Sequence, residues 1–174
     1  MTINIIKRLG AMTLLVLVHV LFLGHIHIYG IATPLIYIML PLHFSTAQPR
    51  WSALMWCFVT GLLIDVFMNT PGMTSGALTV IGLLQPRVLR LLVQNDDDEE
   101  IVPSLKTMGW IKFLLYILIL TLICSLVFFT LEAFSFFNPL MWIECIGAST
   151  LVTVIIILAV ERIREQGIAQ QYYA

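Results

Sequence analysis

The chain has 174 residues, of which 60% are hydrophobic and only 11% are charged, and its formal net charge is −1. Its mean hydropathy is +0.98, whereas a typical soluble domain is roughly 45–50% apolar and about 25% charged. This composition excludes an ordinary soluble domain and predicts an integral membrane protein. Because a spanning helix needs about 20 apolar residues, the chain has room for about five or six spans and for no separate soluble domain.

Six apolar runs, separated by turn or polar residues, predict an all-α fold of six transmembrane helices in one polytopic domain, residues 1–174. The second run is the weakest, since it holds only about fourteen residues and contains Pro34 and Pro41. A re-entrant or broken segment is the alternative for that run. The predicted spans cover residues 9–28, 31–44, 51–68, 76–93, 108–129 and 140–160.

The first run follows Lys7 and Arg8 and resembles the start of a signal peptide. The residues after Leu23 read GHIHIYG, which is not a small-x-small cleavage site, and further spans follow, so we expect an uncleaved anchor. His25 and His27 have a spacing that suits a metal on a strand better than on a helix. We therefore expect them at the outer membrane–water boundary and not in a metal site.

The positions of the basic residues decide the number of crossings, because Lys and Arg accumulate on the cytoplasmic side of a membrane. If all six runs cross and the N-terminus is inside, every basic residue lies on the cytoplasmic face. If the second run fails to cross, every basic residue from Arg50 onward moves outside. Six crossings with both termini cytoplasmic, including a tail at 161–174, are therefore predicted. The basic residues are Lys7, Arg8, Arg50, Arg87, Arg90, Lys106, Lys112, Arg162 and Arg164.

The third run carries an acid, Asp65, near its predicted outer end. An aspartate at the centre of an inserting helix costs roughly 2.5–3.5 kcal/mol, and less is expected near the boundary. Asn69 lies four residues on, on the same helical face if the helix continues that far, and its amide could then donate a hydrogen bond to the carboxylate. Gly61 lies one turn earlier and would let a neighbouring backbone approach closely. The three residues predict a polar, small-residue face turned toward other helices.

A tight reversal is predicted between the third and fourth runs. Pro71 fixes one backbone dihedral, and Gly72 can adopt the positive φ that a tight turn needs. The two runs should therefore form a close antiparallel hairpin. Arg87 and Arg90 follow at its cytoplasmic end with a spacing of three, where they can reach lipid phosphates or a partner's acid.

The segment NDDDEE, residues 95–100, is a run of acidic residues in a predicted cytoplasmic loop. Anionic lipid headgroups would repel it into solvent. It is interpreted either as a solvated linker or as a docking patch for a basic cytoplasmic partner, and binding to such a patch would weaken as salt rises.

Two further acids lie toward the predicted outer side. Glu132 is expected in a solvated loop, whereas Glu144 lies just inside the sixth run and could line an outward cavity together with Asp65. The cysteines sit singly in predicted helices, without the paired spacing of a zinc site, and are expected to be packing residues. They are Cys57, Cys124 and Cys145.

Known catalytic motifs are not present in the sequence. It has no HExxH zinc helix and no GxSxG serine elbow, and GLLID lacks the GxGD or Tyr-Asp motifs of intramembrane aspartyl proteases. We therefore expect a non-enzymatic protein that uses neither a metal nor a cofactor and does not bind nucleic acid.

The central motif resembles a known family. GLLID at Gly61–Asp65, followed by Pro71, Gly72 and Gly76 and then an apolar helix, is similar to the central signature of MreD, the rod shape-determining membrane protein of bacteria. The motif covers about Thr60–Leu92, and elsewhere the likeness is one of hydropathy and size.

This resemblance implies a non-enzymatic member of the cell-elongation machinery in the bacterial cytoplasmic membrane. MreD proteins are associated with MreC, and through MreC with the filament MreB and with the peptidoglycan polymerase RodA and its transpeptidase. The resemblance also implies a fold similar to the six-helix substrate-binding subunits of energy-coupling-factor vitamin transporters.

Two functions are compatible with these observations. The Asp65 face and the tight hairpin favour a scaffold that binds the transmembrane or juxtamembrane segment of MreC, since helices associate in lipid through close packing and hydrogen bonds. The alternative is a small-molecule-binding subunit of a vitamin or solute transporter. Transporters place polar groups near the midplane, but the corresponding runs here carry little polarity beyond His19 and hydroxyls, which favours the scaffold.

Overall fold

The computed structural model describes residues 2–23, 33–45, 48–93, 102–132 and 139–173. In these ranges the chain is helical and has no strand, which confirms the all-α class. A π-helical turn, His19–Leu23, continues α1, and a 3-10 turn, Ile36–Ile38, precedes α2. The helices are α1 Thr2–Val18, α2 Met39–Leu42, α3 Arg50–Met68, α4 Met73–Leu92, α5 Leu105–Met108, α6 Trp110–Glu132 and α7 Pro139–Tyr173.

Of the described helices, three are long and apolar enough to cross a membrane: α3, α6, and α7 over Leu140–Arg164. The first helix contributes a shorter apolar stretch, Met12–Leu21. The fourth helix has 20 residues, but the exposed Arg87 and Arg90 and the buried Gln85 lower its hydropathy. The chain is therefore a membrane protein, and its helical segments fit the six predicted runs.

The second predicted span, 31–44, is broken and not a continuous helix. Its described part begins with non-helical residues 33–35, followed by the 3-10 turn and the single turn of α2. Pro34 has no N–H to give a helix, and Pro41 is the third residue of α2, where its missing N–H would have no intrahelical partner anyway. The described residues therefore show the broken alternative for this run. We call residues 33–44 the broken segment.

The broken segment lies in the core of the molecule. Leu35, Tyr37 and Ile38 are fully buried, and the segment contacts α1, α3, α4 and α7. Irregular backbone at membrane depth is tolerated only where protein covers it and satisfies its polar groups. The least regular element is therefore also the most enclosed.

The fourth helix is the centre of the packing. It packs extensively on α3 on one side and on α6 on the other, and α6 in turn packs on α7. Its buried positions recur every three or four residues, as expected for one face of a helix. They are Thr74, Ser75, Ala77, Leu78, Ile81, Gly82, Gln85 and Leu89.

Several predicted features fall at or beyond the described ranges. The acidic run 95–100 and the histidine pair at 25 and 27 lie outside the described residues. The predicted tail at 161–174 begins as a continuation of α7, which is helical to Tyr173.

Candidate functional site

The α3–α4 hairpin turns through two residues with positive φ. Asn69 adopts a left-handed conformation (φ 55°, ψ 39°) and ends α3, and the N–H of Thr70 then donates to the carbonyl of Asp65 at 3.1 Å. Gly72 has a φ of +86° and begins α4 as its N-cap, directly after the exposed Pro71. The positive φ expected at Gly72 is present, and the second one falls on Asn69, a residue type that tolerates it.

Asp65 caps the helix that follows its own. The N-cap of α4 is a glycine without a side chain, so the first N–H groups of α4 need another acceptor. Asp65 Oδ1 accepts the N–H of Thr74 at 2.9 Å, and Oδ2 accepts the N–H of Ser75 at 2.9 Å. The hydroxyl of Thr70 donates to Oδ1 at 3.1 Å. With 5% of its surface exposed, the carboxylate is enclosed by these donors.

These contacts explain how an acid is accommodated in so apolar a helix. Hydrogen bonds to a charged group contribute about 1.5–3 kcal/mol each, and a negative charge at a helix N-terminus adds about 0.3–1 kcal/mol. Together they offset the roughly 2.5–3.5 kcal/mol cost of inserting an aspartate. The predicted donation from Asn69 is wrong, because α3 ends at Met68 and the reversed chain carries the exposed Asn69 off that helical face.

Glycines allow the two helices of the hairpin to touch. A Cβ built on Gly61 would overlap Ser75 Cα and lie 2.7 Å from Ser75 N, so the close backbone approach predicted at Gly61 is present. Further along, a Cβ on Gly82 would lie 2.9 Å from Cys57 Sγ. The hairpin is thus tightly packed over most of its length.

The other predicted site residues lie on separate surfaces. Gly76 faces α6, where an added Cβ would lie 3.1 Å from Leu131 Cδ1. Arg87 and Arg90 are exposed near the end of α4. Glu144 is exposed on α7, whereas Asp65 is buried. The outward cavity expected to be shared by these two acids stays a prediction.

A second polar site, which the sequence interpretation missed, holds the start of the broken segment. The N–H of Thr33 donates to Ser149 Oγ at 3.0 Å, and the N–H of Leu35 donates to Thr153 Oγ1 at 3.0 Å. Thr153 Oγ1 in turn donates to the Ser149 carbonyl at 2.6 Å. Hydroxyls of α7 thus replace the intrahelical acceptors that this non-helical stretch lacks.

Side chains of α4 and α6 hold the other end of the broken segment. The hydroxyl of Tyr116 donates to the Leu42 carbonyl at 3.2 Å. The Nε2 amide of Gln85 donates to the Phe44 carbonyl at 3.1 Å and to the Tyr116 hydroxyl at 2.9 Å. The last carbonyls of a helix have no intrahelical donor. Here Tyr116 of α6 and Gln85 of α4 supply the missing donors.

An ion cluster around the buried Glu161 side chain completes this end. His43 Nδ1 lies 2.9 Å from the Met39 carbonyl, and Nε2 lies 3.1 Å from Glu161 Oε2. Arg164 Nη1 lies 3.5 Å from Glu161 Oε1, and the Glu161 side chain is 2% exposed. Both ring nitrogens of His43 therefore face an oxygen atom.

The contacts with α7 fix the course of the broken segment. From Thr33 to His43 the segment meets Ser149, Thr153 and Glu161 in that order, so it runs parallel to α7. Twelve residues of α-helix cover about 18 Å, which is more than half of the roughly 30 Å hydrocarbon core. Two features of the sequence could have predicted this contact. Ser149 and Thr153 have an i, i+4 spacing that places both hydroxyls on one face of α7, and the prolines of the second run indicate a backbone that needs such acceptors.

Threonine variants test the hydroxyl contacts. Thr153→Val removes the acceptor of the buried Leu35 N–H, and a buried donor left unpaired costs about 1–3 kcal/mol. We expect a loss of that size in the free energy of unfolding, measured in detergent. Thr130→Val is the control, because Thr130 donates only to the Leu126 carbonyl of its own helix. Equal stability of the two variants would contradict the role of Thr153.

The titratable side chains show no metal arrangement. Among the described residues, no group of three His, Cys, Asp or Glu side chains is placed to hold a metal ion. The cysteines are free, with Cys57 and Cys124 buried and Cys145 partly buried. Many polar groups of the interior are bonded to backbone or to one another, whereas His19 Nδ1 and Thr121 Oγ1 are buried without a hydrogen-bond partner in the described part of the chain.

Comparison with known proteins agrees with the resemblance of the central motif. The family model described as rod shape-determining protein MreD matches residues 4–161, a range that contains the hairpin, the broken segment and Glu161. No curated protein and no solved structure matches the chain. Since the family match covers nearly the whole chain, this protein belongs to the MreD family of rod shape-determining proteins.

Proposed function

We propose that the chain is a non-enzymatic membrane scaffold of the bacterial cell-elongation machinery and that it binds the transmembrane segment of MreC. Through MreC it would link MreB to RodA and its transpeptidase. Membership of a rod shape-determining family supports this role. So does the use of the interior polar groups, since Asp65, Gln85 and Glu161 are all engaged in hydrogen bonds within the chain.

The observation that carries the proposal is an apolar cleft beside the broken segment. Because α2 is a single turn and not a full helix, a cleft of about 520 Å³ opens between α1, the broken segment and the later half of α7. Leu14, Val18, Ile36 and Met39 are among its walls. Helices associate in lipid through van der Waals packing, and such a cleft can receive the side chains of a partner helix.

The two ends of the cleft differ in polarity, and this difference would fix the position of the partner helix along the cleft. His43 and Arg164 lie on its lining near the ion cluster with Glu161, and the rest of the lining is apolar. A partner helix with an apolar span and a polar or acidic juxtamembrane residue fits this arrangement. Asp65 takes a positioning role in this proposal, since its carboxylate is enclosed by donors of Thr70, Thr74 and Ser75 and is not presented to a partner.

The proposed topology has six crossings with both termini in the cytoplasm. The Gln85–Tyr116 contact joins the late part of α4 to the early part of α6. Arg162 lies over the Trp110 ring at 4.3 Å, which joins the later half of α7 to the start of α6. Basic residues of several helices therefore gather at one end of the bundle. The bias of basic residues toward the cytoplasm supports this end as the inner one.

A small-molecule-binding subunit is the competing function, because about 520 Å³ lies within the range of ligand pockets. Only His43 and Arg164 give this cleft polar side chains, whereas a soluble vitamin needs several polar contacts. The similarity in fold to energy-coupling-factor subunits stays a prediction. Specific thermal stabilisation by a vitamin-like ligand would favour the competing function.

Filling the cleft tests the scaffold. Met39→Trp should reduce co-purification of MreC with this chain by about tenfold, since a loss of about 1.4 kcal/mol in binding is a tenfold change in affinity. Leu151→Trp is the control, because Leu151 is an exposed residue of α7 that does not line the cleft. Membrane insertion of both variants is measured in parallel. Unchanged recovery of MreC with the inserted Met39→Trp chain would exclude the cleft as the binding surface.

A further inference from the structure

Three arginines surround a small pocket between the start of α3 and the late part of α4. Arg50, Arg87 and Arg90 line it, together with apolar residues, and its volume is about 60 Å³. All three arginines are exposed, and no carboxylate among the described residues forms an ion pair with them. The cleft proposed for MreC is lined by other residues, so this pocket is a separate surface.

The arrangement of charge at this pocket is unfavourable without a counter-ion. Arg50 is the first residue of α3, where a cation opposes the helix dipole, and the N-cap Pro49 supplies no side-chain acceptor for the first turn. Two more guanidinium groups from α4 add like charge. An anion in the pocket would meet three guanidinium groups, which is a common recognition mode for phosphate.

The shape and surroundings of the pocket identify the kind of phosphate. A volume of about 60 Å³ suits a phosphate-sized group and excludes a whole lipid or nucleotide. Leu54, Leu83 and Pro86 continue the lining, and Leu83 is exposed where an acyl chain would run. The neighbouring Trp51 is 83% exposed, as expected of a tryptophan at the membrane–water interface.

We propose that Arg50, Arg87 and Arg90 form a binding site for the phosphate of an anionic phospholipid. The guanidinium groups hold the phosphate at the interface, and the acyl chains lie along the apolar surface of α3 and α4. The interaction joins the start of α3 to the end of α4, opposite the end that Asp65 closes. Lipid binding there would stabilise the hairpin from its open end.

The experiment titrates phosphatidylglycerol into the full chain in a neutral detergent and follows the midpoint of thermal unfolding. Phosphatidylglycerol should raise the midpoint at concentrations where phosphatidylcholine does not. Each basic residue near an anionic headgroup contributes about a factor of five in affinity. Arg87→Gln combined with Arg90→Gln should therefore raise the half-saturating concentration about 25-fold.

A second double variant separates the site from general surface charge. Lys112→Gln combined with Arg162→Gln removes the same charge from the same end of the bundle, at exposed residues outside the pocket, and should change the half-saturating concentration by less than about fivefold. Equal effects of the two double variants would overturn the proposal. Stabilisation by inorganic phosphate equal to that by phosphatidylglycerol would overturn the lipid as its source.

Discussion

Asp65→Asn should lower the free energy of unfolding of the chain by about 2–4 kcal/mol, and Thr70→Val should lower it by about 1 kcal/mol. The carboxylate gives one oxygen to each of two backbone N–H groups of α4, from Thr74 and Ser75. An asparagine keeps one acceptor and turns its NH₂ group toward the other N–H. One charge-assisted hydrogen bond is then lost, one buried donor is left unpaired, and the negative charge at the helix N-terminus disappears.

Thermal or denaturant unfolding in detergent measures this difference, and Thr70→Val is the matched control. It removes only the third contact of the carboxylate, the hydroxyl donation at 3.1 Å, and leaves both backbone donors satisfied. A result in which the two variants are equally stable, or in which Asp65→Asn unfolds like the wild type, would show that the acid does not hold the start of α4.

The turn of the hairpin was predictable from local chemistry, whereas its capping was not. Pro71 and Gly72 indicate a reversal because one restricts φ and the other accepts a positive φ. The partners of Asp65 lie nine and ten residues away, beyond that reversal. An i, i+4 relation applies only while a helix continues, and α3 stops one residue before the predicted donor, Asn69.

The broken segment shows the same limit on a larger scale. Pro34 and Pro41 predict an irregular second run, because each removes a backbone donor. The residues that stabilise the irregular backbone, such as Ser149 and Thr153, are more than 100 positions away in the chain. Hydroxyls are common in membrane helices, where they usually bond to their own backbone. Only the packing of α7 on the broken segment distinguishes Ser149 and Thr153 from the other hydroxyl residues of the chain.

The two polar sites are joined through α4. Asp65 and Gly61 fix the first turn of that helix against α3, and Gln85, three turns later, holds the end of the broken segment. The wall of the proposed MreC cleft therefore depends on a hairpin that does not itself touch the partner. Under the proposed function, the signature around Asp65 would serve partner binding while its carboxylate stays enclosed.

Gly61→Ala should weaken both the chain and its recovery with MreC, whereas Gly147→Ala should weaken neither. A Cβ at residue 61 would overlap the backbone of Ser75, which cannot rotate away as a side chain can. Forcing extra volume into such a contact costs about 1–3 kcal/mol. The added methyl group would also push α4 away from α3 and lengthen the hydrogen bond from the Ser75 N–H to Asp65. At Gly147 an added Cβ meets nothing within 4 Å, and alanine favours helix by about 1 kcal/mol. The free energy of unfolding in detergent and the amount of MreC that co-purifies should therefore both fall for Gly61→Ala, and neither should fall for Gly147→Ala. A Gly61→Ala chain as stable as Gly147→Ala would show that α3 and α4 do not need this contact.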